Sequence, residues 1–338
     1  MQLFTTEQLE RAESYLADAK YDHILPAFEG LVADMETYID ENCPTSETVQ
    51  WFSFDSAFEL LTYRRVENDP RELKAAERPF ARAYADLAFC QISLGNYEAA
   101  AENLKKAVRW NPMNCSYRLN LAGVLQRLGD YEEFLRMTYS VFARASHSTH
   151  LVRAYANFAD YFVNCEQFET AAACVKCGLR LNEQDKHLQE KAATLRDEHQ
   201  CDPAAQTDEL TESLLDEQGI PEGANVEVVL SALLLADISA ARSDMQTCAD
   251  MAQIAVDLVG QERATALAHM VSDAAQETYP EEDGVGHVVS DFEDPNATAT
   301  LDAAAAAAKA AGKSGATAAG NADKASEAEG PGAEKAGA

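Results

Sequence analysis

The feature that most constrains this chain is a repeat. "LGNYEAA" at Leu94–Ala100 returns as "LGDYEEF" at Leu128–Phe134, and Tyr131 follows Tyr97 by 34 residues. A glycine followed by a small polar residue is turn chemistry, because glycine takes the left-handed backbone at little steric cost. After the first turn, small and bulky apolar residues recur at helical spacing, at Ala100, Leu104 and Ala107, until Asn111-Pro112 ends the segment. A unit this short cannot bury its apolar face alone and must stack on neighbours. The sequence therefore reads as helical hairpins in series.

From about Glu77, helix-like segments alternate with turns at Gly95-Asn96, Asn111-Pro112, Gly129-Asp130, Ser146-His147 and Asn164–Gln167. No segment shows the period-two alternation of a half-buried strand, so the ordered part is expected to be all-α. Upstream, Thr5 caps a first helix with Gln8 returning the bond. A second helix is expected from about Pro26 to Glu41, with the proline in its first turn. Phe54, Phe58 and Leu61 form one helical stripe within Trp51–Arg65, and Asp69-Pro70 reads as a boundary.

These residues resemble the tetratricopeptide repeat, a helical hairpin that stacks into an α-solenoid. In the first unit Tyr84, Leu87 and Ala88 lie on the first helix, Gly95, Asn96 and Tyr97 in the turn, and Ala100, Leu104 and Ala107 on the second helix. The second unit keeps Leu121, Ala122, Leu125, Gly129 and Tyr131 but carries Phe134 where a small residue is usual. The third arrives three residues late, with Tyr155, Phe158, Ala159, Phe162, Phe168 and Ala171, and with Glu166 in place of the glycine. "FSFDSAFELL", "RWNPMN" and "FARASHSTHLVRAYANF" also resemble a group of bacterial repeat proteins, a likeness that implies no activity.

The resulting organisation is an N-terminal helical segment (1–75), then repeats at about 81–114, 115–148 and 152–185 with a polar capping helix to residue 200. An acidic helical region (201–278) follows, with a possible fourth repeat at about 229–262 whose alternative is an ordinary hairpin. Residues 279–338 read as an acidic and then Ala-rich tail too poor in apolar residues to offset its ordering entropy.

Charge narrows the function. The formal net charge is −30, and residues 201–295 set only Arg242 and Arg263 against 21 acidic groups. A field of that sign repels phosphate backbones, so nucleic acid and anionic membrane are not expected partners. Eight irregularly spaced cysteines and an N-terminus without a basic-then-apolar leader point to a reducing, cytoplasmic setting.

Chemistry is sparse. No phosphate loop, dinucleotide fingerprint or nucleophile elbow appears, so no catalytic residue and no cofactor are expected. Cys174-x2-Cys177 has a zinc-like spacing, but both cysteines sit within a repeat helix and read as core thiols. His147 and His150 read as solvated loop residues.

The resemblance implies a non-catalytic protein-interaction adaptor, whose partner is a protein or peptide lying along the first helices of the hairpins. It places Arg82 and Phe89 from the first unit there, Gln126 and Arg127 from the second, and Arg153 and Asn164 from the third. Leu119, Gly123, Ala156 and Asp160 fall in the same set. Three arginines suit an acidic or C-terminal segment of a partner; the plainer reading is that they are solvated or paired to neighbours. Two other readings are a regulatory helical subunit of a catalytic or signalling partner and a metal-binding helical protein. "SDFEDP" at Ser290–Pro295, one phenylalanine among acids, suggests a segment that folds back over a basic groove, or simply a solubilising tail.

Overall fold

A computed structural model of the protein describes residues 4–16 and 20–278, all within a compact unit running from Met1 to Asp291. The stretch containing Ser290–Pro295 and the Ala-rich tail lie outside the described residues.

Three helical hairpins follow one another: α4 (Phe80–Ser93) with α5 (Tyr97–Trp110), α6 (Cys115–Leu128) with α7 (Tyr131–Phe142), and α8 (Ser148–Asn164) with α9 (Phe168–Leu181). The fold is an all-α solenoid of the repeat type. Small residues occupy the close approaches: Ala88, Ala122 and Ala159 on the first helices and Ala100, Ala107 and Ala171 on the second are fully buried. Bulky partners fill what remains, including Tyr84, Leu87, Leu104 and Phe134.

The turns share one backbone solution. In the first, Gly95 N–H bonds Ile92 O and Asn96 N–H bonds Gln91 O; in the second, Gly129 and Asp130 repeat this with Gln126 and Leu125. Both glycines stand at φ 78°. The third turn makes the equivalent pair, from Glu166 to Val163 and Gln167 to Phe162, with Glu166 at φ 58°. Two bonds and the packing behind them hold a non-glycine residue where it is costly by on the order of 1–2 kcal/mol.

Two helices precede the hairpins. In α1 (Thr6–Ser14), Thr5 and Gln8 form a reciprocal capping box. The second, α2 (Tyr21–Asn42), starts five residues before Pro26, so the proline sits inside the helix and not at its start. α2 packs along α4, sharing Phe28, Val32 and Met35 with Phe80 and Tyr84.

One short sheet interrupts the helices of this all-α fold. β1 (Val49–Phe52) and β2 (Glu72–Ala75) form a two-stranded parallel sheet with Val49 opposite Glu72 and Phe52 opposite Ala75. Four residues are too few for alternation to show against the Phe54, Phe58 and Leu61 stripe. Between the strands, α3 (Ala57–Glu67) begins only after Ser56, whose hydroxyl oxygen accepts from Glu59 N–H. This insert is tied to the end of the first hairpin, where Ser53 N–H bonds Trp110 O at 2.8 Å.

After α9 come α10 (Lys186–His199), α11 (Asp208–Gln218), α12 (Val226–Ala241), α13 (Met245–Val259) and α14 (Gln261–Thr278). α10 and α11 both pack on α9. The hairpin α12–α13 closes with the same two bonds as the repeats, from Ser243 and Asp244, with Ser243 at φ 60°. It packs on α3, where Arg65 meets Glu227 at 2.8 Å, and Asp257 of α13 accepts from the N–H and hydroxyl of Ser148. The polypeptide thus returns to the earlier hairpins instead of adding a unit beyond α10.

Candidate peptide groove

Polar rungs run from the first helices of the hairpins to neighbouring helices. Arg82 of α4 forks onto Glu13 of α1. Ser116 Oγ of α6 lies 3.3 Å from His150 Nε2 of α8, and Arg153 donates to Asn120 Oδ1 at 3.3 Å. Asp160 accepts from Lys191 and pairs with His187, both on α10. Such a row of polar side chains arises because each first helix buries one stripe against its own partner helix and turns the next stripe to its neighbours.

The six predicted residues divide into two groups. Arg82 and Phe89 are already engaged by the N-terminal segment: Arg82 by Glu13, and Phe89 by an edge-to-face contact with Tyr21 at 5.6 Å. Asp86, one turn past Arg82, has an Oδ2 that makes no hydrogen bond. Burial and the Glu13 carboxylate push Asp86 well above the usual carboxylate range, with Arg82 pulling the other way.

The second group faces solvent. Arg127 is exposed, its guanidinium 5.5 Å from the Tyr97 ring centre. Arg153 and Asn164 are exposed and Gln126 is half-buried. Aligned by the 37-residue offset between Tyr131 and Phe168, Arg127 is level with Asn164 and Arg153 is level with Ser116. Eleven residues of helix separate the two levels, roughly 16 Å at 1.5 Å per residue. The residues therefore mark two ends of one face and form no single cluster. Leu119 and Ala156, placed on this face from sequence, belong to the core.

The structure also gathers residues that sequence reasoning passed over. Asn111, at the end of α5, is fully buried. Its Oδ1 accepts from Met113 and Asn114 N–H, and its Nδ2 donates to Asp55 at 3.2 Å and Glu59 at 2.9 Å. Burial and the neighbouring Asp55 carboxylate raise Glu59 to about 7. His150 is pushed down to about 3 by burial, then by His147 and Arg153, and its Nδ1 is buried without a partner. Only the Asn-Pro at the turn was visible in sequence; its acidic partners lie more than fifty residues upstream.

Burial raises the Cys174 thiol and pushes Cys177 up to about 11. Metal-binding cysteines need the opposite shift. Among the described residues, no three or more His, Cys, Asp or Glu side chains are grouped to hold a metal ion, and no helix is long and apolar enough to cross a membrane.

The hairpin α4–α5, with its Gly95 turn and its buried Ala88, Ala100 and Ala107, is the part that decides kinship. A family model described as tetratricopeptide repeat matches residues 81–114. The chain carries a tetratricopeptide repeat. Comparison with curated proteins returned no match. Tetratricopeptide repeats generally mediate protein–protein interaction and are typically non-catalytic modules. The matched hairpin is the one whose Arg82 is already paired, with Glu13.

Proposed function

We propose that this protein is a non-catalytic interaction adaptor that takes an extended acidic partner segment along the first helices of its second and third hairpins. The supporting observation is the division of the inner face. Glu13 occupies Arg82, whereas Arg127 is exposed beside the Tyr97 ring; Arg153, which donates to Asn120, and Asn164 are also exposed on this face. A guanidinium fork suits a side-chain or terminal carboxylate. Two such forks roughly 16 Å apart would hold an extended segment of about five residues at ~3.3 Å each.

Site-specific photocrosslinking tests this reading. A photoreactive residue at Gln126 or Asn164 should capture a partner in the cells that make the protein, and one at Glu102 on α5 should not. Adding Arg127→Glu and Arg153→Glu should abolish the adducts. Adducts that survive the double reversal, or that form only at Glu102, contradict the proposal.

A further inference from the structure

The two ends of the repeat array are finished differently. On the C-terminal side α10 buries only Leu188 and Leu195 and turns a polar surface outward. Such a face solvates the last unit of a stack. On the N-terminal side, α1 and α2 spend Leu9, Phe28 and Met35 on the core shared with α4. Beside that core they leave a crevice of about 490 Å³. Its walls include Ala12, Ile24 and Leu31, and Tyr15 stands over it with 49% of its surface exposed.

Charge is locally reversed here. Among the described residues, Arg11, Lys20 and His23 line the crevice and no acidic residue does, in a protein of net charge −30. Among the described residues, neither Arg11 nor Lys20 takes part in an ion pair, and His23 meets only Asp22, at 3.7 Å with both side chains exposed. Most other lysines and arginines of the repeats are committed to carboxylates or backbone carbonyls. An apolar slot with a cationic mouth matches one chemistry: a bulky apolar side chain flanked by carboxylates. A second copy docked about a two-fold axis would bring the same cations face to face.

We propose that the α1–α2 crevice is a second docking site, taking an acidic partner segment that inserts one bulky apolar side chain between Ile24 and Leu31. It is separate from the inner face and does not depend on that site's function.

The probe is a fluorescein-labelled peptide of glutamates around a single phenylalanine, titrated into the full-length protein by fluorescence anisotropy. Arg11→Glu with Lys20→Glu should weaken binding at least tenfold, and so should Ala27→Trp, which fills the slot at an exposed position without changing charge. Replacing the peptide phenylalanine by alanine should do the same. Hydrogen exchange should show protection within residues 8–31. No binding to the wild-type protein, equal affinity across these variants, or protection confined to α6 and α8 overturns the proposal. A concentration-dependent dimer that Ala27→Trp dissolves would assign the crevice to a second copy and overturn it as well.

Discussion

Asn111 and Asn182 close the second helices of the first and third hairpins, 71 residues apart, and their local chemistry is the same. Each side-chain oxygen accepts the backbone N–H two residues on, from Met113 and from Gln184. Their surroundings differ completely. Asn111 is 0% exposed, with the carboxylates of Asp55 and Glu59 on its amide. Asn182 is exposed, and the following helix begins four residues later. The same turn is a surface cap in one hairpin and the anchor of the insert that carries β1, α3 and β2 in the other. Local sequence sets the cap; distant segments decide what the cap carries.

The contrast can be broken at its largest point by truncating the aromatic that ends the first hairpin. Trp110 is 4% exposed and meets Phe80 edge to face at 4.9 Å. Trp110→Ala should cost about 4 kcal/mol, whereas its counterpart Leu181→Ala, half-buried, should cost less than half as much. Denaturant melts of the two variants measure this. Similar losses would mean that the first hairpin is no more committed than the third.

The asparagines themselves are the next test. Asn111→Ala removes the buried amide that bonds Asp55 and Glu59, leaves Met113 N–H without its acceptor, and should cost about 2 kcal/mol. Asn182→Ala removes an exposed cap and should cost about 0.5 kcal/mol. Chemical denaturation distinguishes the two.

Acidity sharpens the comparison further. Glu59 is raised from its ordinary 4.5 to about 7, so ionising it inside the fold is unfavourable. Its contribution is intact below about 4.5 and is lost as pH rises through 7. Glu59→Gln does not titrate, so wild type should lose about 3 kcal/mol relative to this variant between pH 4.5 and 8. His150 opposes it in sign: held down near 3, it contributes stability above its ordinary 6.5 that is lost as pH falls. A pH series of melts on wild type, Glu59→Gln and His150→Gln separates the two slopes.

The smallest effect expected is at the third turn. Glu166→Gly should stabilise the protein by about 1 kcal/mol or less, since glycine relieves the left-handed strain but adds freedom to the unfolded state. Gly95→Glu should be destabilising by a similar amount.

These cases show what could be read from the sequence. Gly95, Gly129, Ala88, Ala100 and Leu104 state the hairpin locally, through turn conformation and helical spacing, and the solenoid followed from them. Glu166 and Ser243 hide the same turn, because tertiary packing imposes a backbone their residue type does not advertise. The sheet of Val49–Phe52 and Glu72–Ala75 was illegible because each strand is short and its partner lies across an intervening helix. On the candidate groove, positions on the first helices came from the repeat resemblance, and their solvation did not follow from it. Arg82 and Arg127 look alike in sequence, yet Glu13, 69 residues from Arg82, neutralises only the first. The basic crevice between α1 and α2 was missed because Arg11, Lys20 and His23 come together only when the two helices pair.

The most direct test of the adaptor proposal is the affinity of the photocaptured partner segment for the full-length protein, measured beside Arg127→Glu/Arg153→Glu and beside Arg136→Glu on α7, a second helix. The account predicts at least a tenfold loss for the double reversal and less than a twofold change for Arg136→Glu. Equal affinities for all three proteins, or a larger loss for Arg136→Glu, would contradict it.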